Sequence, residues 1–250
     1  MRHTRFACAA AALFGLAASS AHATEGYFQH GYGARHKALA GAGVADGRDA
    51  TAAALNPAGL VHSPNEVSLS LSLFSPRREI EGSGAAGFTP TGVVESDSNY
   101  FIVPNIAFAY KLAPNAFVDV IGVTLYGNGG MNTDYPAVPR PGACVGAPST
   151  TGVFCDGVAG VDLQQAFLSV TLAKQFGNFA VGVAPILARQ QFSADGLGAF
   201  AGAGVAIAGN PTDVSWGYGV RGGVEVSVTP NVRLGLAGSS RIYMQEFDKY

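Results

Sequence analysis

Residues 67–73 read Val-Ser-Leu-Ser-Leu-Ser-Leu, with an aliphatic side chain at every odd position and a serine at every even one. Successive side chains of a β-strand point to opposite faces of the sheet, so this pattern predicts a strand with one apolar and one polar face. Comparable alternation recurs in six later segments: 106–112, 121–125, 166–172, 179–183, 216–228 and 232–236. We therefore predict that the chain from residue 66 to residue 250 is all-β, with about seven strands.

The lengths of the connections predict how these strands are arranged. Short connections at 113–115, 176–178 and 229–231 alternate with long ones at 77–99, 127–161 and 190–214. Short turns on one side and long loops on the other are typical of a transmembrane antiparallel β-barrel of the outer membrane. A soluble β-sandwich with its apolar face inward is an alternative interpretation of the same pattern.

The composition favours the barrel. Only 13% of the residues are charged, whereas an ordinary soluble domain has about 25%. Much of the surface is therefore predicted to contact something other than water, with the apolar strand faces toward lipid and the small, polar faces toward a lumen. The formal net charge of −2 excludes the basic surface of a nucleic-acid-binding protein, so we expect no nucleic-acid partner.

The first 23 residues are predicted to be a signal peptide. Arg2 and Arg5 precede an apolar stretch at 6–18, and Ala-His-Ala at 21–23 has the form of a cleavage site. Export of this kind places the predicted barrel in the cell outer membrane of a Gram-negative bacterium.

Residues 24–65 do not alternate and are rich in Ala and Gly, which indicates a compact helical plug, or hatch, before the first strand. Asp49 is placed to cap a short helix over 50–55, and Pro57 ends it because proline disfavours helix in the residue before it. Asn56 and Pro57 then form a rigid turn.

Seven strands are an unusual number for such a barrel. Bacterial single-chain barrels close with an even number of strands, because an open edge leaves unpaired backbone groups in lipid. We therefore expect the sequence to be incomplete at its C-terminus, with association of several copies as the alternative.

Motifs for catalysis and metal binding are not found in the sequence. There is no G-x-S-x-G, H-E-x-x-H or Walker lysine motif, and His30, His36 and His62 have no metal-site spacing. We expect no enzymatic activity, no metal and no cofactor. Cys144 and Cys155 are predicted to form a disulfide, because export places them in an oxidising compartment; two free thiols are the alternative.

Several short motifs follow one another along the chain. They are 26–28 (Gly-Tyr-Phe), 31–33 (Gly-Tyr-Gly), 38–45 (Ala-Leu-Ala-Gly-Ala-Gly-Val-Ala), 49–51 (Asp-Ala-Thr) and 56–60 (Asn-Pro-Ala-Gly-Leu), then 130–136, 160–163, 192–197 and 243–250. This series resembles the FadL/TodX family of outer-membrane transporters. The resemblance implies a barrel of about 14 strands plugged by the hatch, of which seven strands are half.

The resemblance also implies a function, the diffusion of long-chain fatty acids or other hydrophobic compounds through a hatch-plugged barrel. The expected partners are a hydrophobic small molecule (a fatty acid or a hydrocarbon), outer-membrane lipid and lipopolysaccharide. A passive, poorly selective porin or a surface adhesin barrel is the alternative. Members of the family release the ligand sideways through a gap in the wall, and the third strand, with Asp119 and Gly122, is our candidate for that gap.

The candidate ligand-binding residues are apolar side chains, the hatch turn and two cations. Phe28, Phe167 and Phe192 are predicted to contact the apolar part of the ligand, and Asn56 and Pro57 to shape the hatch beside it. Arg221 and Arg189 are the candidates for a carboxylate head group. Strict alternation from Phe179 places Arg189 on the lipid side, unless Pro185 lies at a bulge that resets the register.

Overall fold

A computed structural model describes residues 28–83, 90–140, 144, 146–147, 149–198 and 212–250. The predicted signal peptide and residues 24–27 of the predicted hatch lie outside these ranges. The hatch contains one short α-helix, α1 (Gly33–Ala38), and two 3-10 helices, η1 (Ala50–Ala54) and η2 (Pro57–His62). Among the described residues, none of the helices has the length and apolar character needed to cross a membrane.

The strands follow the hatch in chain order. They are β1 (Glu66–Phe74), β2 (Glu79–Ser83), β3 (Thr91–Glu95), β4 (Phe101–Lys111), β5 (Val120–Tyr135), β6 (Ala159–Phe176), β7 (Phe179–Asp195), β8 (Asp213–Thr229), β9 (Val232–Ser239) and β10 (Tyr243–Met244). The main sheet is antiparallel, in the order β1-β4-β5-β6-β7-β8, and β9 and β10 both pair with β8. β2 and β3 form a separate hairpin within the loop after β1.

The predicted fold class is confirmed, because the main sheet curls into half of a β-barrel. β9 and β10 lie one after the other along the same edge of β8, with one extra residue between them, so together they occupy a single strand position. In the described part of the chain this gives seven strand positions, at the places that the alternation predicts. The long strands β5 to β8 extend past the predicted segments, so the intervening loops are shorter than the sequence indicates.

The two faces of the sheet differ as the alternation predicts. On the outer face, aliphatic side chains are exposed; Leu71, for example, is 77% exposed. The inner face carries small and polar residues and is covered by the hatch. A buried apolar cluster joins Ala53 and Leu60 of the hatch to Ala107, Ala109 and Val120 of the wall. The hatch therefore lies inside the curve of the sheet, where it covers the lumen side.

Side-chain caps fix the two 3-10 helices of the hatch. The Asp49 carboxylate accepts a hydrogen bond from the Thr51 N–H and caps η1, as the sequence predicts, although the segment folds as a 3-10 helix that ends at Ala54. Asn56 accepts from the Ala58 N–H at 3.0 Å and caps η2, which begins at Pro57. Proline at the first position of a helix is favoured because its missing N–H would be unpaired there.

Candidate functional site

The wall of the half-barrel is open along one seam, between β4 and β5. The two strands pair from Lys111 and Val120 up to Asn105 and Tyr126. Beyond that point the rest of β4 pairs with β1, and β5 continues to Tyr135 paired with β6.

Two features of the strands accompany this loss of pairing. Pro104, next to the last paired residue of β4, has no N–H to donate to a ladder. In β5, the register with β6 shifts between Gly129 and Met131, which is the sign of a β-bulge. A cavity of about 540 Å³ lies at this seam, lined by Pro104, Tyr126, Asn128 and Gln165 among others.

The first described residues of the hatch contact the wall at the same seam. The Gln29 N–H donates to Asn128 Oδ1 at 3.3 Å, and Gln29 Nε2 donates to Asn105 Oδ1 at 3.3 Å and to the Gly127 carbonyl. Gln29 is therefore bonded to both strands that border the opening, β4 and β5.

An aromatic group lies on the lumen side of this seam. Tyr126 of β5 and Phe167 of β6 are cross-strand partners whose ring centroids are 5.4 Å apart. From the hatch, Tyr32 packs on Tyr126 with centroids at 4.3 Å, and Phe28 lies 6.1 Å from Phe167. Tyr32, Tyr126 and Phe167 are buried, whereas Phe28 is partly exposed at the edge of the group. The arrangement offers an apolar, aromatic surface that is shared by hatch and wall.

At the outer rim of the cavity, Arg78 lies over the ring of Phe101 with its guanidinium carbon 5.2 Å from the ring centroid. Its Nη2 donates to the Ser98 carbonyl. Burial lowers the pKa of Arg78, and the Tyr135 phenol acts in the opposite direction. An arginine remains protonated at physiological pH, so the rim carries a positive charge.

On the other side of the lumen, the hatch is attached to β8. Asn56 Nδ2 donates to the carbonyls of Val44, at 2.7 Å, and Val224, at 3.1 Å. Glu225, which is 1% exposed, accepts from Arg233 at 3.0 Å and lies 2.8 Å from His62 Nε2. These contacts anchor η2 to the wall.

A solved structure has a similar fold. The match is to the P. putida toluene transporter TodX, with a TM-score of 0.58 and 16% sequence identity over 87% of this chain. The fold of this chain is similar to that of TodX. This finding confirms the resemblance to FadL/TodX proteins at the level of the fold. The chain spans 57% of the length of the TodX chain.

Comparison by sequence gives no match of this kind. No protein-family model matches the chain, and no curated protein matches it. The similarity to TodX is therefore a similarity of fold, detected by comparison of structures.

Within the TodX fold, the structure brings together two of the residues that the sequence nominates for ligand binding. Phe28 and Phe167 meet in the aromatic group described above. Phe192 lies on the inner face in a different group, with its ring centroid 4.9 Å from Tyr250 and 5.6 Å from Phe247. Asn56 and Pro57 lie against β8 and hold the hatch.

The two candidate cations lie on opposite faces of the sheet. Arg189 faces outward with Gln191, to which its Nη2 donates at 3.1 Å. The register between β6 and β7 is the same on both sides of Pro185, so no bulge turns Arg189 inward. Arg221 faces inward, donates to Ser239 Oγ at 2.8 Å, and lies close enough to Tyr126 for its charge to act on the phenol.

The seam lies beside the third strand position, β5, but not where the sequence places its irregularity. Gly122 faces the hatch, and a Cβ there would be 2.6 Å from Leu60 Cδ2. Asp119 lies at the turn before β5, with Oδ1 3.4 Å from Lys174 Nζ. The irregularity of β5 lies closer to its C-terminal end, where the register with β6 shifts between Gly129 and Met131.

Sequence reasoning missed several residues of the site. Gln29, Asn105, Asn128 and Tyr126 belong to no functional motif. Asn105 and Tyr126 both have inner-face positions in their strands, but alternation does not distinguish them from other inner-face residues. Arg78 was missed because it lies in a loop, where alternation carries no information.

Cys144 and Cys155 are bonded to each other in the loop between β5 and β6, with a Cα–Cα distance of 5.3 Å. The buried Arg140 guanidinium supports this loop by donating to the carbonyls of Gly152 and Val153. In the described residues, no group of three or more His, Cys, Asp or Glu side chains is placed to hold a metal ion.

Proposed function

We propose that this chain forms the hatch-bearing part of an outer-membrane barrel that lets hydrophobic small molecules diffuse across the outer membrane. The observation that carries this proposal is the seam between β4 and β5, where the wall loses its pairing and the hatch is hydrogen-bonded to both borders through Gln29. The TodX fold supports it, because that protein is a toluene transporter.

The proposed path leads from the lumen into the membrane. A hydrophobic molecule packs on the aromatic group at Tyr126 and Phe167, passes the hatch at Gln29, and leaves through the seam into the lipid. Burial of a CH₂ group away from water is favourable by about 0.8 kcal/mol, whether the group lies against the protein or in lipid. Each step of the path therefore exchanges one apolar contact for another. No covalent step is required, and the chain acts as a passage.

We propose that the outer face of the sheet contacts outer-membrane lipid. Exposed aliphatic side chains cover this face on every long strand, including Leu71, Val123, Leu172, Val183 and Leu236. In water such a surface would be unfavourable, whereas in a bilayer it is the expected outer surface of a barrel. The loops that extend beyond the strands would then meet lipopolysaccharide.

A disulfide across the seam tests the proposal. A Cβ built on Gly127 lies 3.3 Å from Val103 Cγ1, so the double variant Val103→Cys/Gly127→Cys is placed to form a bond across the open part. We expect the oxidised variant to lose most uptake of labelled toluene into vesicles, and reduction to restore it. The disulfide holds β4 against β5, so the open part of the seam cannot widen.

The matched control places a disulfide between β4 and β5 in the part where the two strands are already paired. Phe108 and Val123 are cross-strand partners in the paired part, so Phe108→Cys/Val123→Cys leaves the opening unchanged. Its uptake should be the same before and after reduction, which also controls for reduction of the Cys144–Cys155 bond. Full uptake by the oxidised Val103→Cys/Gly127→Cys variant would refute passage through the seam. Equal uptake of a sugar of similar size would instead identify a poorly selective pore.

A further inference from the structure

Five amide side chains form a continuous group where the hatch meets the open seam, and we call it the amide cluster: Gln29, Asn105, Asn128, Gln165 and Gln190. Asn128 and Gln165 are cross-strand partners, and so are Gln165 and Gln190, with Gln165 Nε2 donating to Gln190 Oε1 at 2.6 Å. Gln29 connects the hatch to Asn105 and Asn128. The cluster spans four strands and contains no charged side chain.

The amide cluster has unused hydrogen-bonding groups. Among the residues that the structure describes, four of its buried atoms have no partner: the Nδ2 donors of Asn105 and Asn128 and the Oε1 acceptors of Gln29 and Gln165. Asn105 is 2% exposed and Asn128 is 4% exposed. A buried polar group without a partner is unfavourable, so a site with two free donors and two free acceptors is complete only when something polar occupies it.

Asn128 and Gln165 also line the cavity at the seam, next to the ring of Tyr126. A molecule in this cavity therefore has its apolar part against an aromatic surface and one end at the amide cluster.

We propose that the amide cluster binds an uncharged polar group of the transported molecule, a hydroxyl or a carboxamide, and that the chain prefers hydrophobic compounds with one such group. A hydroxyl both donates and accepts, so it satisfies an amide N–H and an amide carbonyl at once. This inference rests on the proposed function and names the class of substrate.

Two other kinds of ligand fit the cluster less well. A pure hydrocarbon has no hydrogen-bonding group and leaves all four atoms unpaired. A carboxylate only accepts, so it would bring its negative charge toward the carbonyl oxygens of Gln29 and Gln165 with no cation in the cluster to offset the repulsion.

Three ligands of one size separate these cases: benzyl alcohol, toluene and benzoate. Their affinities are measured by calorimetry with the full-length protein in lipid nanodiscs, after subtraction of empty discs. We expect benzyl alcohol to bind most tightly. Gln165→Met keeps the length of the side chain and removes the free acceptor, so it should weaken binding of benzyl alcohol by about threefold to tenfold and leave toluene unchanged.

The control is Gln191→Met, on the neighbouring strand but on the outer face, where the side chain is bonded to Arg189. It should leave all three affinities unchanged. Equal affinity for benzyl alcohol and toluene, or the same loss for both in Gln165→Met, overturns the inference while the proposed function stands. Binding of none of the three ligands above the level of empty discs overturns the proposed function as well.

Discussion

Asn56 joins three separate parts of the chain through one side chain. Its carbonyl oxygen accepts from the Ala58 N–H, and its amide donates to Val44 of the hatch and to Val224 of the wall. The residue is almost completely buried. A serine or aspartate would also cap η2 but would lack the two amide protons, so only asparagine serves all three contacts.

Asn56→Ala should loosen the hatch without preventing assembly of the wall. The substitution leaves the Ala58 N–H and the Val44 and Val224 carbonyls without their partner, at a cost of about 1–3 kcal/mol. We expect backbone amides over residues 44–62 to exchange with deuterium about tenfold faster or more, because local opening becomes easier. Heat-modifiable gel mobility should be unchanged.

Asn178→Ala is the control for this prediction. Asn178 lies exposed in the turn between β6 and β7, and its side chain donates one hydrogen bond, at 3.4 Å, to the Ser227 carbonyl. Exchange in the hatch should match the wild type in that variant. Unchanged exchange in Asn56→Ala would show that other contacts hold the hatch.

Strands were the elements that the sequence predicted best. In β1 the alternation is unbroken from Val67 to Leu73, because one face of the strand is exposed on the outside of the sheet and the other faces its inner side along the whole strand. The hairpin of β2 and β3 was missed, since five-residue strands such as Glu79–Ser83 are too short to show a period.

The seam could not be predicted either. Whether two strands stay paired depends on where each ladder ends, and neither Pro104 nor the bulge at Gly129–Met131 changes the hydrophobic pattern enough to be recognised. After the bulge, Asn132 pairs with Asp162 of the outer face, so alternation carried through the bulge assigns the wrong face.

The loop between β5 and β6 gives a prediction about its disulfide. Cys144 and Cys155 close a short ring, for which chain-entropy arguments give a stabilisation of the loop of up to about 3 kcal/mol. Unreduced protein from the outer membrane, unfolded in denaturant and treated with an alkylating reagent, should leave both cysteines unlabelled. Prior reduction should make both available. Labelling of both without reduction would show that the bond does not form in the cell.

Part of the contact between hatch and wall is made by very small residues. η2 packs against β6, β7 and β8, and glycines of the wall face it. A Cβ on Gly182 would lie 2.3 Å from the carbonyl carbon of Pro57, and one on Gly223 would lie 1.9 Å from Asn56 Oδ1. At Gly182 the two backbones meet directly, and at Gly223 the wall backbone meets the Asn56 side chain, so this fit depends on the absence of wall side chains at both points.

Gly223→Ala should therefore displace the hatch, whereas Gly222→Ala should not. The two residues are neighbours in β8, but Gly222 faces outward and has nothing within 4 Å of its Cβ position. We expect the first variant to expose the hatch to a protease added from the periplasmic side, while the strands stay resistant. Equal resistance of the hatch in both variants would contradict this close fit between η2 and β8.

The small residues of the wall also affect how the hatch can move. Where wall glycines face Pro57 and its neighbours, no wall side chain projects into the hatch, so sliding along β7 and β8 meets little steric resistance there. The hatch is held instead by discrete contacts, such as Tyr32 packed on Tyr126 and the polar contacts at Gln29 and Glu225. Because these contacts lie at separate places on the wall, we expect the hatch to be released contact by contact rather than all at once.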